Sequence, residues 1–326
     1  MTTLTMRDKP TLPGAPWLIA HRSLLNLHQP YKLTLNGQDY VLWQDAQGEI
    51  FALGNVCPHQ QAPLSNGWIC PEYNIIVCPF HTVAFNGNGQ RCRDGKPEGQ
   101  PLINTLELSI QGDFIWTYGG HEPKLPIPDL HRQISAEYEF VGVAISRSIQ
   151  GDFLSNVLIN YDYNHQNGTH RDVLRIKNNH VSHFEKAGYH ATVIQGLERA
   201  DNSWKELFSN PALLLLPKKY EIHLEYEFPS TTIVRTSLPT GKLVQMHLLY
   251  PESGDRTRSI VLVFAQYKYN VLKAFNNSIL KGVALVVEQD AEAIETSYPR
   301  QKPKIRLPNE EILTYAEDLY RHWEDA

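Results

Sequence analysis

Two short segments of the chain carry the same metal-binding chemistry, Cys57-Pro58-His59 and Cys78-Pro79-Phe80-His81. Each is a proline-containing loop that offers one thiolate and one imidazole. Two cysteines and two histidines are the ligand set of a Rieske [2Fe–2S] centre, in which the cysteines hold one iron and the histidines the other. The pattern therefore predicts a redox cluster bound by Cys57, His59, Cys78 and His81.

A structural zinc site of the Cys₂His₂ type is the main alternative for these four residues. Zinc motifs normally pair cysteine with cysteine and histidine with histidine along the chain, whereas each segment here is mixed, which favours the iron–sulfur cluster. The other two cysteines, Cys70 and Cys92, lie in the same part of the chain. We expect them to be small, buried apolar residues.

A second set of metal-ligand types occurs at Asp162, His165 and His170. Asp162 and His165 are three residues apart and would share one face of a helix. His165 and His170 are five apart, which a regular helix does not align, and Gly168 between them predicts that the helix opens there. Two imidazoles and one carboxylate form the facial triad of non-haem iron oxygenases, which leaves positions open for O₂ and substrate.

The third ligand is expected from a distant carboxylate on a helix predicted over residues 271–296. This helix is apolar over residues 283–287 and acidic immediately afterwards, so its acids should lie at a buried end. The candidates are Glu288, Asp290, Glu292 and Glu295. Spacing alone leaves the choice among them open.

Two kinds of local pattern indicate the elements that position these residues. Short alternating runs separated by turn residues predict an all-β domain, with strands at residues 31–35, 40–43, 50–53, 75–78, 83–85, 106–110 and 114–118. A Gly- and Pro-rich stretch follows. The remainder predicts an antiparallel sheet with helices, with strands at 138–149, 189–197, 220–228, 231–238, 243–250 and 259–267 and helices at 154–165, 271–296 and 309–323.

This division predicts an α+β protein with an N-terminal all-β domain at residues 1–120, a linker at 121–134 and a second domain at 135–326. At 326 residues, two domains are a reasonable expectation. The net charge of −5 gives no indication of nucleic-acid binding. No apolar run is long enough to span a bilayer, and the N-terminal residues lack the pattern of a secretory signal. The sequence therefore predicts a cytoplasmic protein.

These motifs resemble the Rieske non-haem iron oxygenases, the α subunits of aromatic-ring hydroxylases and of O- or N-demethylases. The resemblance implies a Rieske domain followed by a catalytic domain of the helix-grip type. It implies that Asp290 is the third iron ligand beside His165 and His170, and that Asp162 links a cluster histidine of a neighbouring subunit to His165. It also implies a homotrimer and an external ferredoxin or flavin reductase as the electron donor.

The family usually has Arg-Gly behind the first cluster histidine and Gly-Trp behind the second, where this chain has Gln60-Gln61 and Thr82-Val83. These departures concern the surroundings of the cluster and not its ligands. The expected function is O₂-dependent hydroxylation or demethylation of a small, largely apolar organic substrate. The alternative is a Rieske electron-transfer protein or non-catalytic partner subunit with a vestigial iron site. Phe184, Tyr189, Phe264 and Tyr267 are the candidate substrate-pocket residues.

Overall fold

The structure is a computed structural model that describes residues 10–298, 300–301 and 303–323. The N-terminal stretch examined for a secretory signal lies largely in residues 1–9, outside the described residues. The chain forms two compact units. The first comprises Met1–Ile127 together with Pro251–Gly254, and the second comprises Pro128–Tyr250 and Asp255–Ala326.

Three antiparallel sheets form the N-terminal unit, in the orders β1-β11-β10, β2-β3-β4 and β5-β6-β7-β8-β9. The strands are β1 Trp17–His21, β2 Tyr31–Leu35, β3 Gln38–Gln44, β4 Ile50–Gly54, β5 Trp68–Cys70, β6 Ile75–Val77, β7 Ala84–Asn86, β8 Gln90–Arg93, β9 Lys96–Pro101, β10 Ser109–Gln111 and β11 Phe114–Thr117. Short 3₁₀ turns occur at Arg22–Leu24 and Leu64–Asn66. Buried side chains of β3, β4, β6 and β7 form one cluster that includes Cys57 and Cys78.

Each of the seven strands expected in this unit has a counterpart, but four strands do not follow from the sequence pattern. β1 is buried at all five positions and β9 is exposed at all six, so neither shows the alternation expected of a strand with one buried face. β5 and β8 have only three and four residues.

The second unit contains a seven-stranded antiparallel sheet in the order β12-β18-β17-β16-β15-β14-β13. The strands are β12 Glu139–Gln150, β13 Ile176–Ala187, β14 His190–Arg199, β15 Lys219–Glu227, β16 Thr231–Leu238, β17 Gly241–Ser253 and β18 Arg256–Tyr267. The helices are α1 Leu130–Glu137, α2 Phe153–Tyr161, α3 Arg171–Leu174, α4 Trp204–Ser209, α5 Asn276–Glu295 and α6 Glu311–Arg321, with 3₁₀ turns at Tyr163–Asn167, Pro211–Leu215 and Asn270–Phe275.

Helix α5 packs on the sheet through a stripe of apolar side chains. Ile279, Val283 and Val287 are four residues apart and contact Val261 and Val263 of β18. This spacing places the three α5 side chains on one helix face. The α+β fold class expected from the sequence is confirmed, with the antiparallel sheet and helices in the second unit.

Several predicted element boundaries in this unit were wrong. The helix expected over 154–165 ends at Tyr161, and the helix expected over 271–296 begins with the 3₁₀ turn Asn270–Phe275. Helix α1 begins at Leu130, inside the stretch 121–134 expected as a linker, and the domain limits stay a prediction. The stretch that forms β13 has a strand-like but exposed pattern and was not assigned as a strand, and its pairing with β14 defines it. Among the described residues, no helix is long and apolar enough to cross a membrane.

Candidate metal centres and substrate cavity

The two Cys/His loops of the N-terminal unit have the same backbone construction. In the first loop, the N–H of Cys57 donates to the carbonyl of Ala62 at 2.9 Å. In the second, the N–H of Cys78 donates to the carbonyl of Val83 at 2.8 Å. Each cysteine carbonyl in turn accepts from the N–H four residues later. The loops therefore present their side chains from equivalent, internally hydrogen-bonded turns.

Both turns contain a residue in the left-handed region of backbone space, Gln61 and Thr82, each with φ of 55°. These are the positions at which the sequence departs from the glycine usual in the resembling family. Left-handed backbone is unfavourable for residues with a Cβ, and especially for a β-branched threonine. The chain therefore keeps the turn geometry with residues that disfavour it.

Burial separates the two kinds of ligand in these loops. Cys57 and Cys78 are both 1% exposed, whereas His59 and His81 are exposed. The two imidazole rings lie together at the surface, with centroids 4.6 Å apart and planes at 74°. Burial, together with the neighbouring Cys78 thiol, raises the pKa of Cys57. Two interior thiols and two surface imidazoles fit a cluster that is anchored inside and reaches the surface through its histidines.

The remaining cysteines have no part in this arrangement. Cys92 is buried in a small apolar cluster of the β5–β9 sheet, and Cys70 packs against that cluster. All four cysteines lie within the described residues, and none of them forms a disulfide there.

In the second unit, His165 and His170 lie on consecutive turns rather than on one helix. Asp162 ends α2 with extended backbone, φ −89° and ψ 95°, and its carboxylate accepts from the N–H of Asn164 at 2.9 Å. This bond caps the 3₁₀ turn that carries His165. The helix was predicted to open at Gly168, but it already ends at Asp162, because an aspartate side chain competes for backbone donors at such positions.

Three potential ligand atoms meet at this place. The Nε2 atoms of His165 and His170 are 3.1 Å apart, and they lie 3.2 Å and 3.1 Å from Oδ1 of Asp290 on α5. Ligand atoms about 2.1 Å from a metal on one face of an octahedron would be about 3.0 Å apart, so this triangle has the size of a facial triad. Oδ1 of Asp290 is buried and has no hydrogen-bond donor at acceptable angles among the described residues. The three residues thus fit a metal ion.

The electrostatics of this set follow from burial and mutual attraction. Burial opposes the charged forms of Asp290 and His165. The adjacent imidazoles of His165 and His170 nevertheless lower the pKa of Asp290 to about 2. Asp290 correspondingly raises the pKa of His165, against the effect of burial. The site therefore favours an anionic Asp290 carboxylate beside the two imidazoles.

The other three candidate acids of α5 do not face the histidine pair. Glu288 and Glu295 both form ion pairs with Arg147 of β12, the latter at 2.6 Å. Glu292 is exposed. All four acids lie within two turns of one helix, so the sequence alone does not show which of them faces the histidines. The tertiary arrangement distinguishes Asp290 from the other three.

The second ring nitrogen of each histidine has its own acceptor. Nδ1 of His165 contacts the main-chain carbonyl of Asp162, and Nδ1 of His170 lies 3.0 Å from Oε1 of Gln289. Such contacts fix the tautomer that directs Nε2 toward a metal. The expected contact of His165 with the Asp162 carboxylate is not observed, since that carboxylate caps Asn164. Gln289 was not predicted to have this role. The only sequence feature that pointed to Gln289 was its position next to Asp290.

A cavity of about 220 Å³ opens next to the three ligand atoms, between α5 and strands β14–β17. Of the four candidate pocket residues, only Tyr267 lines it. Phe184 packs near Tyr315 and Tyr189 near Phe228 and Trp323, and Phe264 lies against Phe140. The alternation that marks a strand does not reveal which face bounds a cavity.

His247 of β17 also lines the cavity and was not predicted from the sequence. Burial lowers its pKa to about 4, so its ring is neutral at physiological pH.

Comparison with known proteins agrees with this description. Residues 16–107 match the Rieske [2Fe-2S] domain family. The 4β-methylsterol monooxygenase of Methylococcus capsulatus is 32% identical over 142 residues, which are 40% of this chain and 37% of the relative. The dicamba O-demethylase oxygenase component of Stenotrophomonas maltophilia is 27% identical over 134 residues, 39% of each chain. The matched part is thus less than half of these relatives.

Solved structures extend the likeness to nearly the whole chain. Dicamba monooxygenase bound to 3,6-dichlorosalicylic acid has a TM-score of 0.77 and 16% identity, with 97% of this chain and 98% of that chain covered. NdmB of Pseudomonas putida CBB5 has a TM-score of 0.68 and 16% identity, with coverages of 97% and 92%. At this identity the likeness shows a shared fold, and activity must be argued from the sites.

Proposed function

Because this chain contains a Rieske [2Fe–2S] domain and has the fold of dicamba monooxygenase, we propose that it is a Rieske-type oxygenase. Its reaction is O₂-dependent hydroxylation or demethylation of a small, largely apolar organic molecule. The observation that carries the proposal is the triangle of His165 Nε2, His170 Nε2 and Asp290 Oδ1, with edges of 3.1–3.2 Å beside an apolar cavity.

Cys57, Cys78, His59 and His81 hold the [2Fe–2S] cluster in this proposal. The cysteines anchor it in the core of the N-terminal unit, and the exposed histidines form the surface at which electrons enter or leave. An external ferredoxin or flavin reductase supplies those electrons. The relatives named as oxygenase components support the need for such a donor.

His165, His170 and Asp290 hold Fe(II) in this proposal, and the iron supplies the centre for O₂ binding and activation. The protein residues make this possible in three ways. Asp290 remains anionic and neutralises part of the metal charge. Gln289 and the Asp162 carbonyl orient the imidazoles. The apolar lining of the cavity holds the substrate beside the site and keeps bulk water away. One solved structure of dicamba monooxygenase contains non-haem iron, which supports the choice of metal.

The proposal also includes the assembly of the protein and its location in the cell. A head-to-tail homotrimer would bring the cluster of one chain near the iron of the next, with Asp162 between a partner histidine and His165. The domain limits 1–120, 121–134 and 135–326 and a cytoplasmic location belong to this proposal too. The relatives act on substrates as different as a methylsterol and dicamba, judging from their names, so they support only a broad substrate class.

Metal and sulfide analysis of anaerobically purified protein tests the proposal. We expect about three Fe and two inorganic sulfides per chain, and an EPR spectrum of the reduced protein that indicates mixed Cys/His ligation. Asp290→Ala should lose one Fe and keep the EPR signal, whereas Glu292→Ala, an exposed position on the same helix, should keep all three. Two Fe in the wild-type protein, with an unchanged Asp290→Ala variant, would instead favour the electron-transfer alternative.

A further inference from the structure

The length of the cavity can be measured from the elements that line it. On β16 and β17, which pair antiparallel, the lining runs from Thr232 opposite His247 to Leu238 opposite Gly241. Six residue steps at about 3.3 Å correspond to about 20 Å. On α5 the lining runs from Ser278 to Asp290, which is twelve steps at 1.5 Å, or about 18 Å. Two independent elements therefore give the same length.

The ligand triangle lies at one end of this length. Asp290 is the last lining residue of α5, and it lies near enough to His247 of β17 for its charge to act on that ring. The opposite end is the turn between β16 and β17, where Thr240, Gly241 and Lys242 line the cavity. A ligand that fills the cavity must therefore be elongated, with one end at the triangle.

The charge of the lining limits the ligand further. Among the described lining residues, only Asp290 and Lys242 carry a formal charge. Lys242 is half-exposed at the far end and lies 3.9 Å from Glu137. The side chains between the two ends are mainly leucine, isoleucine and valine, with neutral polar groups such as Thr236 and Gln245. A carboxylate placed along this stretch would be buried without a cationic partner, at a large desolvation cost.

The volume agrees with a molecule larger than one ring. An apolar cavity of about 150 Å³ holds benzene, and this cavity is about 220 Å³. We propose that the substrate is an uncharged, elongated hydrophobic molecule, a linear or fused-ring hydrocarbon skeleton, that lies along β16, β17 and α5 with its reacting carbon at the Asp290 end. The inference rests on the proposed function for the identity of that end.

Calorimetric titration of the iron-loaded protein without reductant or O₂ tests the inference. The probes are linear primary alcohols from C6 to C14, 2-naphthol as a rigid fused-ring probe, p-cresol as a single ring, and alcohols of the same length that carry a carboxylate at mid-chain, away from Lys242 and the iron. We expect affinity for the alcohols to rise about threefold to fourfold per methylene until the chain fills the cavity. 2-Naphthol should bind about threefold to fivefold more tightly than p-cresol, and each mid-chain carboxylate at least tenfold more weakly than its alcohol.

Two variants locate the bound molecule. Leu238→Trp fills the far end, so affinity should stop rising at a shorter alcohol, while binding of p-cresol stays the same. Ser237→Trp is the matched control, because this exposed neighbour points to the opposite face of β16, and it should behave as wild type. Affinity that is independent of chain length in the wild-type protein, or carboxylates that bind as tightly as alcohols, would overturn the inference. Since binding is measured without turnover, it is independent of whether the protein proves to be an oxygenase.

Discussion

At the scale of single residues, Gln289 is the least expected part of the proposed iron site. Its Oε1 lies 3.0 Å from Nδ1 of His170, a ring that is almost completely buried. A histidine ligand whose outer nitrogen is held in this way presents a fixed lone pair to the metal. Gln289 is therefore assigned a positioning role and not a ligand role.

Replacing Gln289 tests that role. Gln289→Leu removes the acceptor for His170 and should weaken Fe(II) binding by about 10- to 100-fold, as measured by competition with a chelator. Gln289→Glu keeps an acceptor and should retain iron. The control is Glu292→Gln, at an exposed position of the same helix. Unchanged iron affinity in Gln289→Leu would mean that the contact has no part in metal binding.

Asp162 provides the second test at this scale. Asp162→Asn keeps a side-chain oxygen that can cap Asn164, so the turn and the iron content should remain as in the wild-type protein. The negative charge is lost, and transfer of electrons from the cluster to the iron should slow by at least tenfold. Stopped-flow oxidation of the reduced cluster in the presence of substrate and O₂ measures this rate. A wild-type rate would exclude Asp162 from the electron path.

At the scale of elements, the two Cys/His loops share one backbone geometry, and each places a residue with a Cβ at a left-handed position. Hydrogen bonds from Cys57 to Ala62 and from Cys78 to Val83 define turns that need a left-handed residue. Gln61 and Thr82 fill those positions. Because left-handed backbone costs residues with a Cβ about 1–2 kcal/mol, the loops are less stable than their hydrogen bonding alone would allow.

Thr82→Gly should relieve this cost. We expect stabilisation of about 1 kcal/mol, after allowance for the greater freedom of glycine in the unfolded chain. In a domain of this size, that corresponds to a rise of roughly 2–4 °C in the temperature at which the cluster absorbance is lost. Thr105→Gly, at an exposed position without left-handed backbone, should lower that temperature instead. If the Thr82→Gly variant instead loses the cluster absorbance at a lower temperature than the wild-type protein, the threonine side chain makes a contact that compensates for its backbone strain.

At the scale of the whole molecule, the proposed head-to-tail assembly makes each active centre depend on two chains. Rings of this kind arise from heterologous interfaces, in which different surfaces of each copy meet. The two metal sites can then be inactivated separately, on different chains. A chain without its cluster and a chain without its iron could together complete an electron path.

Mixed oligomers test this dependence. We expect His81→Ala and Asp290→Ala chains to be inactive alone and to regain roughly a quarter of wild-type turnover after co-expression in equal amounts, the fraction in which an intact iron site adjoins an intact cluster. Substrate-dependent O₂ uptake measures turnover, and a mixture of separately purified variants that do not exchange subunits is the control. Failure to regain activity, with mixed assembly demonstrated by differential tagging, would place the electron path within one chain.

The sequence by itself determined the kinds of chemistry in this protein. The mixed Cys/His segments indicate a Rieske-type cluster, because ligand type and order along the chain are local properties. Strands with one buried face follow from an apolar period of two residues, and the apolar stripe of α5 follows from a period of about 3.6. Both periods can be recognised in a short stretch of sequence. The fully buried β1, the exposed β9 and the polar β13 lack such a period, and only their partner strands define them.

Only the tertiary structure decided which groups meet. Glu288, Asp290, Glu292 and Glu295 are chemically alike and close in sequence, and they are distinguished because Arg147 binds two of them while the histidine pair faces Asp290. The roles of Gln289 and His247 and the length of the cavity likewise depend on distant elements packing together. A ligand type is a property of one side chain, whereas a site is a set of distances, and those distances are produced by the packing of α5 on the sheet.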